Sequence, residues 1–393
     1  VKKRAVPSLL LMIVLVAFPQ ISETIYTPSL PDISAAFGVA NTLVQMTLSI
    51  YFIGFALGVF CWGWISDLIG RRPAMLAGLI CYGIGSLMCL LSPTMEWLLV
   101  SRLVQAFGAA TGSIITQTIL RESLSGNERN TVFAQISAVI AFTPAAGPLI
   151  GGWVDQIWGF EAIFFVLVAL SAGLFAYAYT SLPETHPPEA RVRAAVWPVC
   201  KRMLAKPRVI SFALLIGGIN GILFSYYAEA PFIFIGYFGL SPGLYGFLGI
   251  MVALASAAGA MWSKGLLARY RPETIIHLGL GVMTVGALLL VIANAVVTVD
   301  DLLFWSMILS LFIMLLGAGM ALPNCLSLAL VDFRDVAGTA GAVFSSGYYV
   351  LVSLITMGMG LLHNGALMTM PIYFMALSIG MALIGLIWIR EKA

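Results

Sequence analysis

The sequence predicts an all-α integral membrane protein of twelve transmembrane helices arranged as two pseudo-symmetric six-helix bundles. Three observations lead there. Of the 393 residues, 61% are hydrophobic and only 9% charged, whereas a soluble domain carries roughly a quarter charged residues. The apolar runs are long enough to cross a bilayer as helices, and the short alternating segments of a transmembrane barrel are absent. The runs also divide six and six about the longest polar stretch, Leu182 to Arg208, which is rich in proline and base.

Polar, glycine and proline punctuation sets each span in turn. The first, 7–27, follows Lys2-Lys3-Arg4 and ends at Tyr26-Thr27-Pro28. The second, 43–64, stops before Ser66-Asp67, and the third, 74–92, opens behind Pro73. The fourth, 96–119, ends ahead of Arg121-Glu122; the fifth, 131–153, ends before Asp155; the sixth, 160–180, ends before Pro183. Beyond the linker come 209–236, 243–263 and 273–296, behind Pro207, Pro242 and Pro272 respectively. The last three are 301–327, 336–361 and 369–389. The expected domains are therefore an N-terminal bundle over 1–181, a cytoplasmic linker over 182–208 and a C-terminal bundle over 209–393. The first apolar segment runs on to Glu23 and Tyr26 without a small-residue cleavage pattern, so it reads as a span rather than a cleaved signal.

An even number of spans places both termini on one side. The loops of that side hold every lysine and arginine except Arg102, while the opposite loops hold only acids such as Asp32, Asp155, Asp300 and Asp301. The positive-inside rule puts the termini and the linker in the cytoplasm. The basic residues are thus topology signals and contacts for anionic lipid, not a nucleic-acid surface. The five cysteines lie in apolar segments or the linker without metal-ligand spacing, and packing accounts for them.

Charges at membrane depth are costly and face a cavity or a partner. Three stand out: Glu23 near the outer end of span one, Arg102 in span four and Glu229 in the outer third of span seven. Glu23 and Arg102 lie at similar depth, so a pair between them is geometrically allowed. As proton-coupling residues the two glutamates would exchange protons, because burial favours a neutral carboxyl and a nearby guanidinium an ionised one. The competing reading makes them ordinary solvated acids at helix mouths. Tyr26, Gln45, Tyr51, Gln105, Asn220, Tyr226, Tyr227 and Asn324 are candidates for a substrate cavity or for hydrogen bonds between helices. Aromatic faces beside the Glu229 carboxylate suit a cationic or amphipathic small molecule.

A conformational gate is expected at two places. Gly63, Asp67, Gly70, Arg71 and Arg72 form a polar turn after span two, with the arginines reaching acids such as Asp332 or Asp335 below spans ten and eleven. In span five, Pro144, Gly147, Pro148, Gly151 and Gly152 combine helix-weakening prolines with glycines that admit a close neighbour. No Walker glycine loop is present, and His186, His277 and His363 are scattered and read as incidental. The chain therefore reads as neither an enzyme nor a cofactor or metal protein, and as driven by an ion or solute gradient.

These motifs resemble the major facilitator superfamily. Gly63, Asp67, Gly70, Arg71 and Arg72 are similar to its loop 2–3 signature, and Arg102-x-x-Gln105 with Gly108 to its fourth-helix motif. Gly147-Pro148-Leu-Ile-Gly151-Gly152 resembles the fifth-helix motif of drug/proton antiporters. Tyr26-x-Pro28-x-x-Pro31 and Glu229-Ala-Pro231-Phe-Ile are similar to the Bcr/CflA group of twelve-helix multidrug exporters. The resemblance covers essentially the whole chain. It implies two six-helix bundles around a central cavity, proton coupling through Arg102 and antiport-type closure through the fifth helix, in a monomer of the bacterial cytoplasmic (inner) membrane. Two positions depart from the pattern. Thr24 stands where relatives commonly carry an aspartate, with Glu23 beside it, and Ala106 stands where they usually carry glycine.

The leading expectation is export of drugs or small amphipathic metabolites in exchange for protons. A second is proton-coupled symport or uniport importing a small nutrient. A third, of another class, is a non-transporting membrane sensor or scaffold.

Overall fold

Long apolar helices running back and forth account for nearly all of the chain. The computed structural model describes residues 7–123, 126–186 and 196–389, with some side chains of the fifth span and those of 334, 335 and 337 outside the description. The helices are α1 (Leu9–Thr24), α2 (Leu30–Phe37), α3 (Asn41–Ile69), α4 (Arg71–Leu90), α5 (Met95–Ser123), α6 (Gly126–Trp158) and α7 (Phe160–Ser181). There follow α8 (Val196–Leu204), α9 (Pro207–Pro231), α10 (Pro242–Gly246), α11 (Leu248–Leu266), α12 (Pro272–Val296), α13 (Asp300–Ala329), α14 (Ala337–Leu362) and α15 (Thr369–Trp388). Among the described residues, eleven helical stretches are long and apolar enough to cross a membrane, and there is no strand. The protein is an all-α integral membrane protein.

The local chemistry explains the boundaries. The Ser8 hydroxyl accepts from the Leu11 N–H and caps α1, while Pro207, Pro242 and Pro272 open α9, α10 and α12, where a missing N–H is harmless. Pro28 forces a short 3₁₀ turn between α1 and α2, and Gly38 at φ 62° ends α2. Span one is therefore longer than expected and stepped. Span eight is likewise stepped at Phe247, and α9 runs into a π-helical turn over Phe232–Tyr237. The linker contains the amphipathic helix α8, with Val199 and Met203 buried and Trp197 exposed. The helix α6 continues across Pro144 and Pro148 without interruption.

Two expectations about polar segments change. The turn after span two is a single residue: α3 runs on to Ile69 and α4 begins at Arg71, so only Gly70, at φ 105°, lies between them. Asp155 belongs to the last turn of α6 and is buried, not a loop acid.

Packing follows a repeated scheme. Helices α3, α4, α5 and α7 pack on one another, with α1 against α5 and α6; later in the chain α9, α11, α12, α13 and α15 do the same. Between the two groups, α3 lies along α14 and α11 lies along α6. The second span of each group thus meets the fifth of the other.

Candidate functional site

Arg102 is the centre of the polar interior. It is fully buried on α5, with its guanidinium carbon 4.0 Å from the Tyr26 ring centre and 4.2 Å from that of Tyr51. Its Nη1 donates to Gln105 Oε1 one turn on, and Gln105 Nε2 donates to Ser86 Oγ at 2.9 Å. The Tyr26 hydroxyl lies 2.8 Å from Thr47 Oγ1. Two rings and one amide thus hold the cation, each ring presenting its electron-rich face. Arg102 Nε and Nη2 have no hydrogen-bond partner among the described residues. The allowed Arg102–Glu23 ion pair does not form; the structure gives the guanidinium to the tyrosines and to Gln105.

Glu23 is also buried, 6% exposed, which removes the reading of a solvated acid at a helix mouth. It lies within electrostatic range of Arg102, Tyr51, Tyr227, Tyr348 and Tyr349, so it faces the junction of α1, α3, α9 and α14. Its neighbour Thr24 faces the other way, toward Gly147 of α6, and donates to Gln20 O at 2.9 Å. The one-residue offset between Thr24 and Glu23 therefore turns the carboxyl toward the central junction and the hydroxyl toward the fifth span.

Glu229 is 2% exposed and sits nearer the acidic side. Gln45 Nε2 on α3 donates to its Oε2 at 2.7 Å, and His363, just past α14, places Nδ1 2.9 Å from both carboxylate oxygens. The Asn41 amide lies 3.3 Å from His363 Nε2. His363 is thus no incidental histidine. Neither spacing nor motif betrays it, because its partner lies 134 positions away. Gln45 is a tie between helix groups rather than a free cavity wall. Below this cluster, the Phe52 ring lies tilted against Phe224 at 4.3 Å and Phe55 against Tyr349 at 4.7 Å. The Ser353 and Ser346 hydroxyls donate to the backbone of α3 at Ser49 and Ala56. The acidic side is closed along this seam.

The fifth-span motif completes that closure. A Cβ on Gly147 would strike Thr24, and one on Gly151 would strike the Ile25 backbone; one on Gly152 would strike the Pro242 carbonyl of α10. Pro148 packs beside Gly246 and Gly249. Gly243 N donates to Gln156 Oε1 at 3.0 Å across the same contact. The expected close approach is present; the Pro144 side chain lies outside the described residues.

On the basic side the helix groups part. Two adjoining cavities of about 370 and 360 Å³ share Ile114, Thr118 and Gly338, and the deeper reaches Tyr348 and Tyr349. Gln117, Ser113, Arg121 and Phe344 also line it. This size falls in the range of small-molecule sites. Of the expected cavity residues, Tyr226 and Tyr227 are buried edge to face at 5.4 Å, and Asn220 returns its amide to Ile216 O at 2.9 Å. Asn324 makes the interhelical bond that was the alternative to a cavity wall: its Nδ2 donates to Ser263 Oγ at 2.7 Å and ties α13 to α11. Tyr348 and Tyr349 went unnoticed because consecutive tyrosines in an apolar helix carry no signal of which side faces the cavity.

Around the Gly70 turn, Arg71 is 3% exposed. It pairs with Asp67 at 2.5 Å and Glu122 at 2.6 Å, and donates to Ser66 Oγ at 2.8 Å. Glu184 receives the Arg71 and Arg72 N–H groups at 3.0 and 3.2 Å, capping α4 with a carboxylate. Arg72 donates to Tyr179 O at 2.8 Å. The expected reach to Asp332 is not made: that acid pairs with Lys206 at 2.8 Å, and Asp335 lies outside the described side chains. With Gly63, Asp67 and Arg71 line the basic-side opening.

Comparison with known proteins agrees with this architecture. The Major Facilitator Superfamily model matches residues 12–357. An uncharacterized transporter of Rickettsia bellii (strain RML369-C) is 33% identical over 387 residues, covering 96% of this chain and 95% of that protein. Multidrug resistance protein D of Escherichia coli (strain K12) is 28% identical, covering 94% of each chain. A solved D-xylose-proton symporter superposes with TM-score 0.81 at 14% identity, over 98% of this chain and 97% of that one. The chain belongs to the Major Facilitator Superfamily.

Proposed function

We propose that this chain is a proton-coupled secondary transporter working by alternating access, with Glu23 as the carboxyl whose protonation is coupled to substrate occupancy. The observation that carries the reading is the position of Glu23, buried at the junction of both helix groups, within reach of the Arg102 charge and of the tyrosines that cap the basic-side cavity. A substrate entering that cavity alters the solvation and field at Glu23, which couples its occupancy to protonation. Arg102, held by Tyr26, Tyr51 and Gln105, is the fixed counter-charge.

In this reading α6, the fifth span, also crosses and brings the crossings to twelve, and the chain divides into bundles over 1–181 and 209–393 joined by the 182–208 linker. The basic side, with both termini, faces the cytoplasm. The protein acts as a monomer, and the fifth-span glycines and the Arg71 cluster serve as the outer and inner gates.

Two directions of transport remain in play, each with its own support. Export of drugs or small amphipathic metabolites is supported by the fifth-span motif and by similarity to Multidrug resistance protein D. Import of a small nutrient with a proton is supported by the fold likeness to the D-xylose-proton symporter, and an inward-facing cavity serves substrate release equally well. Flux into and out of vesicles under an imposed pH gradient separates the two. In the same vesicles, Glu23→Gln is expected to abolish substrate-dependent proton movement and uphill flux while leaving substrate binding. Unchanged uphill transport in Glu23→Gln removes that residue as the proton carrier.

A further inference from the structure

We propose that the linker helix α8 is a docking surface for anionic phospholipid, with Trp197 and Leu204 in the membrane interface and Lys201 on the headgroup. The contact stands apart from proton coupling and from the direction of transport. At about 100° per residue, the apolar side chains of α8 form one continuous arc in the order Val199, Met203, Val196, Cys200, Leu204 and Trp197. Val199 and Met203, at one end of it, are buried against the protein; Leu204 and Trp197, at the other, are 70% and 77% exposed. No large hydrophobic side chain among the described residues is more exposed than Trp197. The protein thus covers only one end of the apolar arc.

Two attachments fix where the open end of the arc lies. Between Leu204 and Pro207, the first residue of α9, stand only Ala205 and Lys206, whose N–H groups bond back to Lys201 O and Met203 O at 3.1 and 3.0 Å. The helix therefore stays level with the basic-side end of span seven, at the membrane surface. At its other end, Val196 shares the basic-side opening with Phe60 and Trp64 of α3. Both of those rings are exposed on a spanning helix, a surface that faces lipid, so α8 lies along the flank of the transporter rather than beneath it. Arg202 and Lys206 hold it there. Arg202 Nη2 donates to Asp332 O at 2.7 Å and Lys206 Nζ to Asp332 Oδ2 at 2.8 Å, both cations lying over the Phe333 ring. With its packing on α9 and α14, α8 is carried by the second helix group beside the opening.

The chemistry of the open face names the occupant. A tryptophan ring settles at headgroup level, and a helix with Trp and Leu on its apolar side and base at the border lies in the interface plane. Lys201 is that border: it follows Trp197 around the helix by about 40°, is exposed, and has no hydrogen-bond or ion partner among the described residues. Its ammonium therefore meets the headgroup phosphate at the level where Trp197 enters the acyl boundary. The helix carries Lys201 and Arg202 and no acid, so its field favours an anionic headgroup over a zwitterionic one. One lysine near such a surface gives about a fivefold preference.

The chain has nine tryptophans, so the Trp197 fluorescence is read as the difference between the full-length protein and Trp197→Phe in lipid nanodiscs. The probes are phosphatidylglycerol and phosphatidylcholine brominated on the acyl chains close to the headgroup, each diluted into plain phosphatidylcholine. Both brominated lipids are expected to quench the Trp197 component, phosphatidylglycerol at about one-fifth the mole fraction. The preference is expected to vanish in Lys201→Gln and to persist in Lys201→Arg. Trp197 and Lys201 are exposed, so these changes leave the packing of Val199 and Met203 intact. A Trp197 component that neither lipid quenches and aqueous iodide does overturns the lipid contact. Equal quenching by the two lipids in the wild type, or a preference unchanged in Lys201→Gln, overturns the anionic headgroup. No substrate or pH gradient is present, so failure of this contact and failure of coupled transport are seen separately.

Discussion

Gly152 offers the sharpest test of how the acidic side, outward in the proposed orientation, closes. Replacing it with alanine adds one methyl where α6 meets α10, on the contact between the two helix groups. That Cβ would lie 2.9 Å from the Pro242 carbonyl carbon, about half an ångström inside ordinary contact, with the carbonyl oxygen nearer still. The obstructing atoms are backbone and cannot rotate away, so the helices must separate. Overpacking of this kind costs about 1–3 kcal/mol, and here it applies to the outward-closed state alone. The closed-to-open ratio should fall by roughly 5- to 150-fold. Spin labels at Ala36 and Asp301, on a background with the native cysteines replaced, report the separation of the outer ends by electron–electron distance measurement. Gly151→Ala is the control, because its Cβ meets Ile25 just past α1, within the same helix group. It should lower thermal stability without favouring outward opening. An unchanged distance distribution in Gly152→Ala, or an equal shift in Gly151→Ala, refutes the argument.

Two further substitutions test neighbouring assignments. Arg71→Gln removes the cation shared by Asp67 and Glu122; losing a charge-assisted hydrogen bond in a mostly buried site should cost about 2 kcal/mol, read as a lower unfolding temperature in detergent with substrate affinity retained. A loss of affinity with unchanged stability would refute a purely structural role and place the cluster in contact with substrate. Asn324→Ala removes the tie between α13 and α11 and should cost about 1 kcal/mol of stability with binding unaltered; weakened binding at wild-type stability would restore Asn324 to the cavity.

Much of the architecture was legible because a bilayer enforces simple rules. Apolar length fixes the spans, and charge asymmetry fixes the expected sides. Hence α12, α13, α14 and α15 fall within a residue or two of the expected 273–296, 301–327, 336–361 and 369–389. Punctuation misled where helices outlast their apolar stretch. Ser66 and Asp67 are polar yet helical, because the last turn of α3 lies at the membrane surface and bonds Arg71.

The sequence by itself determined that this is a helical membrane protein, and singled out Glu23, Arg102 and Glu229 as charges within apolar spans. It did so because hydrocarbon tolerates neither open backbone nor free charge, whatever the tertiary arrangement. Only the tertiary structure decided which partners they have. Tyr26 and Tyr51 enclose Arg102, His363 and Gln45 hold Glu229, and Glu122 rather than Asp332 takes Arg71. Such contacts depend on helix rotation and on which helices meet. A 100° turn per residue separates Glu23 from Thr24, and no local pattern records where the facing helix stands.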